Sequence, residues 1–182
     1  MVLNNKPQLF TFFFPSTFWY PEVVQKWTPL IERMKLPYMD LSDFMNAQVQ
    51  QVRFPGANLQ MSMQGREQYE IMYPAGKELE TEVNKTLSIT FKLTESYLSY
   101  WVLWDQVDLY LHYSSEHTEH KDCWFEPVTL GFLTDQGIQM LEFTFNELTP
   151  TNLGELNLSY AATVATYNTF TFDLHYNWFS VK

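Results

Sequence analysis

The sequence predicts a mainly β chain of antiparallel strands with small helical content, and three stretches carry that reading. Leu141, Phe143 and Phe145 alternate with Glu142, Thr144 and Asn146; further on, Phe170, Phe172, Leu174, Tyr176 and Trp178 alternate with Thr171, Asp173, His175 and Asn177. A strand's two-residue period sends such apolar and polar sets to opposite faces, so the C-terminal third reads as sheet with one apolar face. Between Glu22 and Met34, by contrast, Val23, Val24, Trp27, Leu30, Ile31 and Met34 recur at threes and fours, a helical stripe.

Taken in chain order, Leu9 to Phe14 is a short apolar strand stopped by Pro15, its near-continuous pattern requiring cover on both faces, by the fold or by a neighbour. Pro21 suits the start of the helix that follows. Pro29 inside it predicts either a kink or a fresh start at Thr28-Pro29. Asp40 or Ser42 caps a short helix carrying Leu41, Phe44 and Met45. Val49 to Phe54 returns to strand and ends at the turn signal Pro55-Gly56. Leu87, Ile89, Phe91 and Leu93 alternate with polar residues, and Thr94 caps a helix on which Tyr97, Tyr100, Trp101 and Trp104 share a face, read as core against the sheet. Leu109, Leu111 and Tyr113 are read as a further strand before a polar run from Ser114 to Lys121. Val128, Leu130 and Phe132 form a strand joined by the Asp135-Gln136-Gly137 turn to the strand ending at Phe145. Thr149 to Gly154 is read as a turn-like connection shaped by Pro150, Asn152 and Gly154, with Asn152 tolerant of positive φ and Gly154 in a left-handed or bulged position.

The 182 residues suit one domain, 1–182, with an additional partly helical segment at about 15–48. Twenty-one acidic against eleven basic residues give a formal charge of −10, which argues against a chain whose task is to neutralise a nucleic-acid backbone. Fifteen Phe, eleven Tyr and six Trp exceed what one small core readily buries, pointing to subunit interfaces. The single Cys123 permits no internal disulfide. Neither a signal peptide nor a membrane span is expected, so the protein is read as soluble and made in the cytoplasm.

The strongest chemical constellation is His112, His117, His120 and Cys123 with Glu116 and Glu119, whose His-x-x-His-x-x-Cys spacing could take zinc if the segment folded back on itself. We read it as a solvated polar loop, with no metal and no cofactor; stoichiometric zinc in the purified protein would overturn that. No Gly-x-Ser-x-Gly elbow, His-Glu-x-x-His helix or phosphate loop is present, so the expectation is no enzyme and no catalytic residue. A carbohydrate-binding β-sandwich is the competing binding-module reading, because exposed Trp and Tyr would serve it equally.

The order Val49 to Leu59 with Phe54-Pro55-Gly56, Leu87 to Phe91 before the Trp101 and Trp104 helix, a hairpin, Pro150-Thr151-Asn152-Leu153-Gly154-Glu155-Leu156 and finally Tyr176-Asn177-Trp178 resembles the tail tube proteins of contractile-tailed, T4-type bacteriophages. The C-terminal unit is the specific part of the match. The resemblance implies an antiparallel β-sandwich or rolled sheet with one flanking helix. Six such subunits would close into a ring-shaped β-barrel, and rings would stack into a tube through which DNA passes at ejection without specific binding. It further implies a late structural protein of the virion, with sheath, baseplate and tail-terminator proteins as candidate partners and no membrane. The alternative is a tube-like ring of the baseplate or tail end, and copy number per virion separates the two.

Lumenal side chains in such a tube should be acidic or neutral, because basic ones would hold phosphates. Glu142, Glu147, Glu155 and Asp173 are the candidates. The apolar strand and the segment after it nominate Phe10, Phe12, Phe14, Phe18, Trp19 and Tyr20 for contacts between subunits.

Overall fold

The computed structural model describes residues 10–35, 37–56, 61–66, 69–74, 85–116, 124–134, 136–156 and 168–182. Its strands fall into two four-stranded antiparallel sheets and one separate pair. Sheet A has the order β1 (Phe10–Phe13), β6 (Val128–Leu133), β7 (Gln139–Asn146), β10 (Trp178–Val181). Sheet B has the order β2 (Val49–Arg53), β5 (Thr86–Lys92), β9 (Thr169–His175), β8 (Thr149–Leu153). β3 (Met61–Arg66) and β4 (Tyr69–Pro74) form a two-stranded pair, separate from both sheets among the described residues.

The period-two pattern decides which face of each sheet is buried. Along β5, Leu87, Ile89 and Phe91 are fully buried and lie opposite Leu174, Phe172 and Phe170 of β9. On sheet A, Phe12 lies opposite Leu130, and Val128 opposite Phe145, which lies opposite Phe179. These two apolar faces belong to one core, joined where Phe14 of the chain leaving β1 stacks on Phe91 at 6.0 Å. Each buried aromatic of this kind contributes about 1.5–3 kcal/mol through apolar area removed from water.

Three helices complete the core: α1 (Pro21–Arg33), α2 (Leu41–Gln48) and α3 (Leu98–Glu116). α1 begins at Pro21, where a missing N–H costs nothing, and runs unbroken through Pro29. Neither a fresh start nor a break occurs there: burial of Val23 and Ile31, with Trp27 and Leu30 packed on the core, outweighs the lost hydrogen bond. The Thr28 hydroxyl is buried with no partner among the described residues. Asp40 caps α2, its carboxylate accepting from the Asp43 N–H at 2.7 Å.

Two sequence expectations are corrected in α3. The helix continues to Glu116, so Leu109, Leu111 and Tyr113 are helical and not a strand. Three alternating apolar residues do not distinguish a strand from the flank of a helix that is apolar on several sides. The buried residues are Leu98, Ser99, Tyr100, Val102, Leu103, Gln106 and Tyr110, so Tyr100 is core as expected, while Tyr97, Trp101 and Trp104 are exposed and are not. Of the two apolar stripes on the helix, the one through Val102, Leu103 and Tyr110 packs inward.

The chain after β7 departs from expectation as well. Thr149–Leu153 is strand β8 at the edge of sheet B and not a turn; its register shifts between Pro150 and Asn152. An edge strand tolerates Pro150, which has no N–H to give. Gly154 is required by close approach: a Cβ there would lie 2.7 Å from Thr171 Oγ1, and its N–H donates to the Thr171 carbonyl at 2.7 Å. Gly137, at φ 78°, makes the turn between β6 and β7. The alternation from Phe170 to Trp178 is broken at Tyr176-Asn177, where the chain leaves β9 in sheet B for β10 in sheet A.

Phe14→Ala is expected to cost about 3–5 kcal/mol in denaturant unfolding, the usual loss for a buried aromatic, whereas Trp101→Ala should stay within about 1 kcal/mol of the parent. Removing residues 15–48 with a flexible linker takes out Phe18, Trp19, Val23, Ile31, Leu41, Phe44 and Met45, all buried. The expected product lacks near-ultraviolet dichroism and dispersed amide resonances.

Candidate assembly surfaces

The segment nominated for subunit contacts is held inside its own chain. Phe12, Phe14, Phe18 and Trp19 are buried in the core, so these four candidates are corrected to core residues; Phe10 and Tyr20 are half-buried. Phe13 is the strand residue that faces out. The fold of the chain itself covers one face of β1, and the face with Phe13 is left to a neighbour.

Polar side chains fix the path of this segment. Asn46 of α2 accepts from the Phe14 N–H at 2.8 Å and donates to its carbonyl at 3.4 Å. Gln106 of α3 is fully buried, donates to the Phe18 carbonyl at 2.8 Å and accepts from the Tyr20 N–H at 3.1 Å. The Trp19 indole N–H donates to Ser42 Oγ at 3.0 Å. On the outer side, Tyr113 of α3 donates to Glu22 of α1 at 2.7 Å, which holds the Glu22 carboxyl below its ordinary value. That link is fully present above the ordinary carboxylate range and is lost as pH falls through the lowered value.

The four acidic lumen candidates do not share a surface. Asp173 lies on the outer face of sheet B, where its carboxylate accepts from Asn152 Nδ2 at 2.9 Å. Glu142 lies on the outer face of sheet A and accepts from Gln139 Nε2 at 2.7 Å. Glu147 sits between β7 and β8 at φ 55° and accepts from Asn177 Nδ2 at 2.8 Å. Glu155 is exposed just beyond β8. Alternation sorts residues within one strand and carries no information on which sheet a strand joins.

The register assembles the outer face of sheet B from Gln51 and Arg53 of β2, Thr86, Ser88, Thr90 and Lys92 of β5, Thr169, Thr171, Asp173 and His175 of β9, and Thr149 and Asn152 of β8. It carries no large apolar side chain. Arg53 and Lys92 stand on it too, so the expectation of a face without basic residues is not met if this face lines a lumen. Sheet A's outer face differs: Phe13 and Trp178 are exposed there beside Thr11, Thr129, Thr144 and Ser180. Among the described residues no strand pairs with either edge of sheet B, β2 or β8.

His117, His120, Cys123 and Glu119 lie outside the described residues, and His112 is exposed near the end of α3. Among the described residues no group of three His, Cys, Asp or Glu is placed to hold a metal ion. No described helix is long and apolar enough to cross a membrane.

No protein-family profile matches the sequence, and no curated protein matches it. Among solved structures the chain is similar to a component of the anti-feeding prophage baseplate, at 17% identity and TM-score 0.47 over 74% of this chain and 80% of that one. It is also similar to the tube-terminating cap of the anti-feeding prophage, at 7% identity and TM-score 0.45 over 74% and 79%. Hcp1 from Salmonella typhimurium matches at 13% identity and TM-score 0.36 over 73% and 69%.

Gln106→Leu removes the partner of the buried Phe18 carbonyl and one partner of the half-buried Tyr20 backbone. At about 1–3 kcal/mol for each unsatisfied buried group, the substitution should lower the denaturation midpoint clearly. Gln106→Glu, which keeps one acceptor, should differ from it in stability below pH 5.

Proposed function

We propose that the chain is a structural ring-forming subunit of the tail-tube kind, with copies closing edge to edge around a lumen and rings stacking into a pipe. The observation that carries this reading is sheet B: four strands, unpaired at both edges among the described residues, with one face in the core and the other polar throughout. An open edge offers unpaired N–H and C=O groups to any strand that arrives. Pairing β2 of one copy with β8 of the next satisfies both edges at once, and a closed barrel of such sheets has none left. The sequence unit Pro150–Leu156 with Tyr176-Asn177-Trp178 supports the same reading, because it contains edge strand β8 and the crossing from sheet B to sheet A.

In this reading the hydroxyl and amide groups of sheet B's outer face line the lumen. Thr86, Ser88, Thr90 and Thr171 give a passing polyanion no fixed cation, while Asp173 repels it. Lys92 lies at one end of β5, and Arg53, on edge strand β2, shares a cross-strand row with Ser88 and Asp173, so the two central strands carry no cation between Thr86 and Thr90. DNA would pass without a binding site, and the lumen needs no catalysis. Six copies per ring, a place in a phage tail and DNA passage at ejection complete the proposal. A baseplate or terminal ring is the second form, with six copies per particle instead of many dozens.

Within one chain β2 and β8 are separated by β5 and β9, roughly 14 Å at ~4.8 Å per strand, beyond the ~7 Å that a disulfide spans. Cysteines introduced pairwise at Gln51 or Arg53 and at Thr151 or Asn152, in a Cys123→Ser background, can therefore join only different copies. Oxidation is expected to give a ladder that ends at a closed ring, while each single-cysteine variant stops at dimers. Monomers alone across all pairs, at concentrations where the protein is assembled, would refute edge-to-edge closure.

A further inference from the structure

Helix α3 is apolar on its outer side as well as its inner one. Tyr97, at its N-terminal boundary, and Trp101, Trp104, Asp108, Leu111 and Ser115 follow one another at alternating steps of four and three, the spacing of a seam that packs against a second helix. Tyr97, Trp101, Trp104 and Leu111 are 37%, 41%, 50% and 59% exposed. A soluble helix that merely covers a sheet has polar residues at those positions.

The seam is also built to hold its shape. Ser96 and Tyr97, just before α3, both take positive φ, 59° and 57°. Consecutive left-handed residues with side chains cost about 1–2 kcal/mol each, and such outliers concentrate where function maintains them. Trp101 and Trp104 meet edge to face at 6.2 Å. Tyr100, buried at their foot, touches both rings and packs on Phe170 of β9 at 5.2 Å, which anchors the platform to sheet B.

Charge selects the occupant. Asp105 is already engaged by Lys26 and by the Trp27 indole N–H of α1, whereas Asp108, in the middle of the seam, has no partner among the described residues. No Lys or Arg occurs anywhere in α3. The nearest cation, Lys26 of α1, lines the same hollow as Asp108 but is held by Asp105, so two copies of α3 laid together would bring their Asp108 carboxylates together with no free cation between them, which is disfavoured. We propose that this seam is the docking surface for a cationic amphipathic helix of a different protein. Its apolar residues lie on Trp101, Trp104 and Leu111, and a Lys or Arg meets Asp108. The inference does not depend on how copies of the chain pair through sheet B.

The test uses the full chain and two labelled synthetic helices of three heptads, both with Leu at the seam positions, one with Lys and the other with Glu at the flanking positions. Fluorescence anisotropy is expected to show saturable one-to-one binding of the Lys peptide and at least tenfold weaker binding of its Glu twin. Asp108→Lys should invert that preference. Leu111→Ser and the double variant Trp101→Ser/Trp104→Ser should each lose at least tenfold, with melting temperatures close to the parent. Leu111→Ser and Asp108→Lys, at exposed sites, keep the test valid if the double variant is unstable. Equal affinity for the two peptides, or affinity unchanged in the seam variants, overturns the proposal. Self-association of the protein that Leu111→Ser abolishes also overturns it, because the occupant is then a second copy.

Discussion

The packing of Phe14 between the two sheets is the constraint on which the rest of the structure depends. Its ring touches Phe12, Phe18 and Trp19 of its own segment and stacks on Phe91 of sheet B, while its backbone is held on both sides by Asn46. A strand of sheet A, the helical segment and sheet B are thereby tied at one residue. Close-packed interiors transmit such constraints because neighbouring rings have no room to slide. Residues 15–48, which look in sequence like an excursion from a β chain, are consequently part of the core, with Gln106 of α3 holding their beginning through the Phe18 carbonyl and the Tyr20 N–H.

Once the inner faces are fixed, the outer surfaces differ in kind. Sheet B presents hydroxyls, amides and a few charges between two open edges, while sheet A presents Phe13 and Trp178 among polar residues. α3 lies against the core through Val102, Leu103 and Tyr110 and leaves an indole platform outside. The excess of aromatic residues thus has two destinations: a large interior cluster, and exposed positions at Phe13, Phe54, Trp101, Trp104, Trp124 and Trp178. Isolated exposed aromatics are ordinary, but a spaced and mutually packed set on one helix face marks an interaction surface.

Several elements were legible in the residues because a local signal controls them. The alternation in Thr86–Lys92 and Thr169–His175, the stripe from Val23 to Met34, Pro21 at a helix start, Asp40 as a cap and Gly137 in a hairpin turn all act within a few residues of themselves. The misreadings share a different cause. Leu109 to Tyr113 fits two periods at once, and Thr149 to Leu153 has turn-forming residues but is drawn into an edge strand by pairing with β9. The aromatic strand from Leu9 carried no mark to separate an interface from a core. Its cover comes from Asn46, Phe91 and Gln106, between 32 and 88 residues away along the chain.

The sequence by itself determined the predominance of β structure, the apolar and polar side of each strong strand, the helix starts at Pro21 and Asp40 and the acidic character of the surface. These follow from periodicity, capping and charge, which are properties of neighbouring residues. Tertiary structure alone decided that β9 and β10 belong to different sheets, that Glu142 and Asp173 face different ways, and that the tryptophans of α3 point outward. Each of those outcomes depends on which of two comparable apolar faces, or which of two open edges, meets a partner distant in the chain. That choice is made by the packing of the whole core, so it leaves no signature in any one stretch of residues.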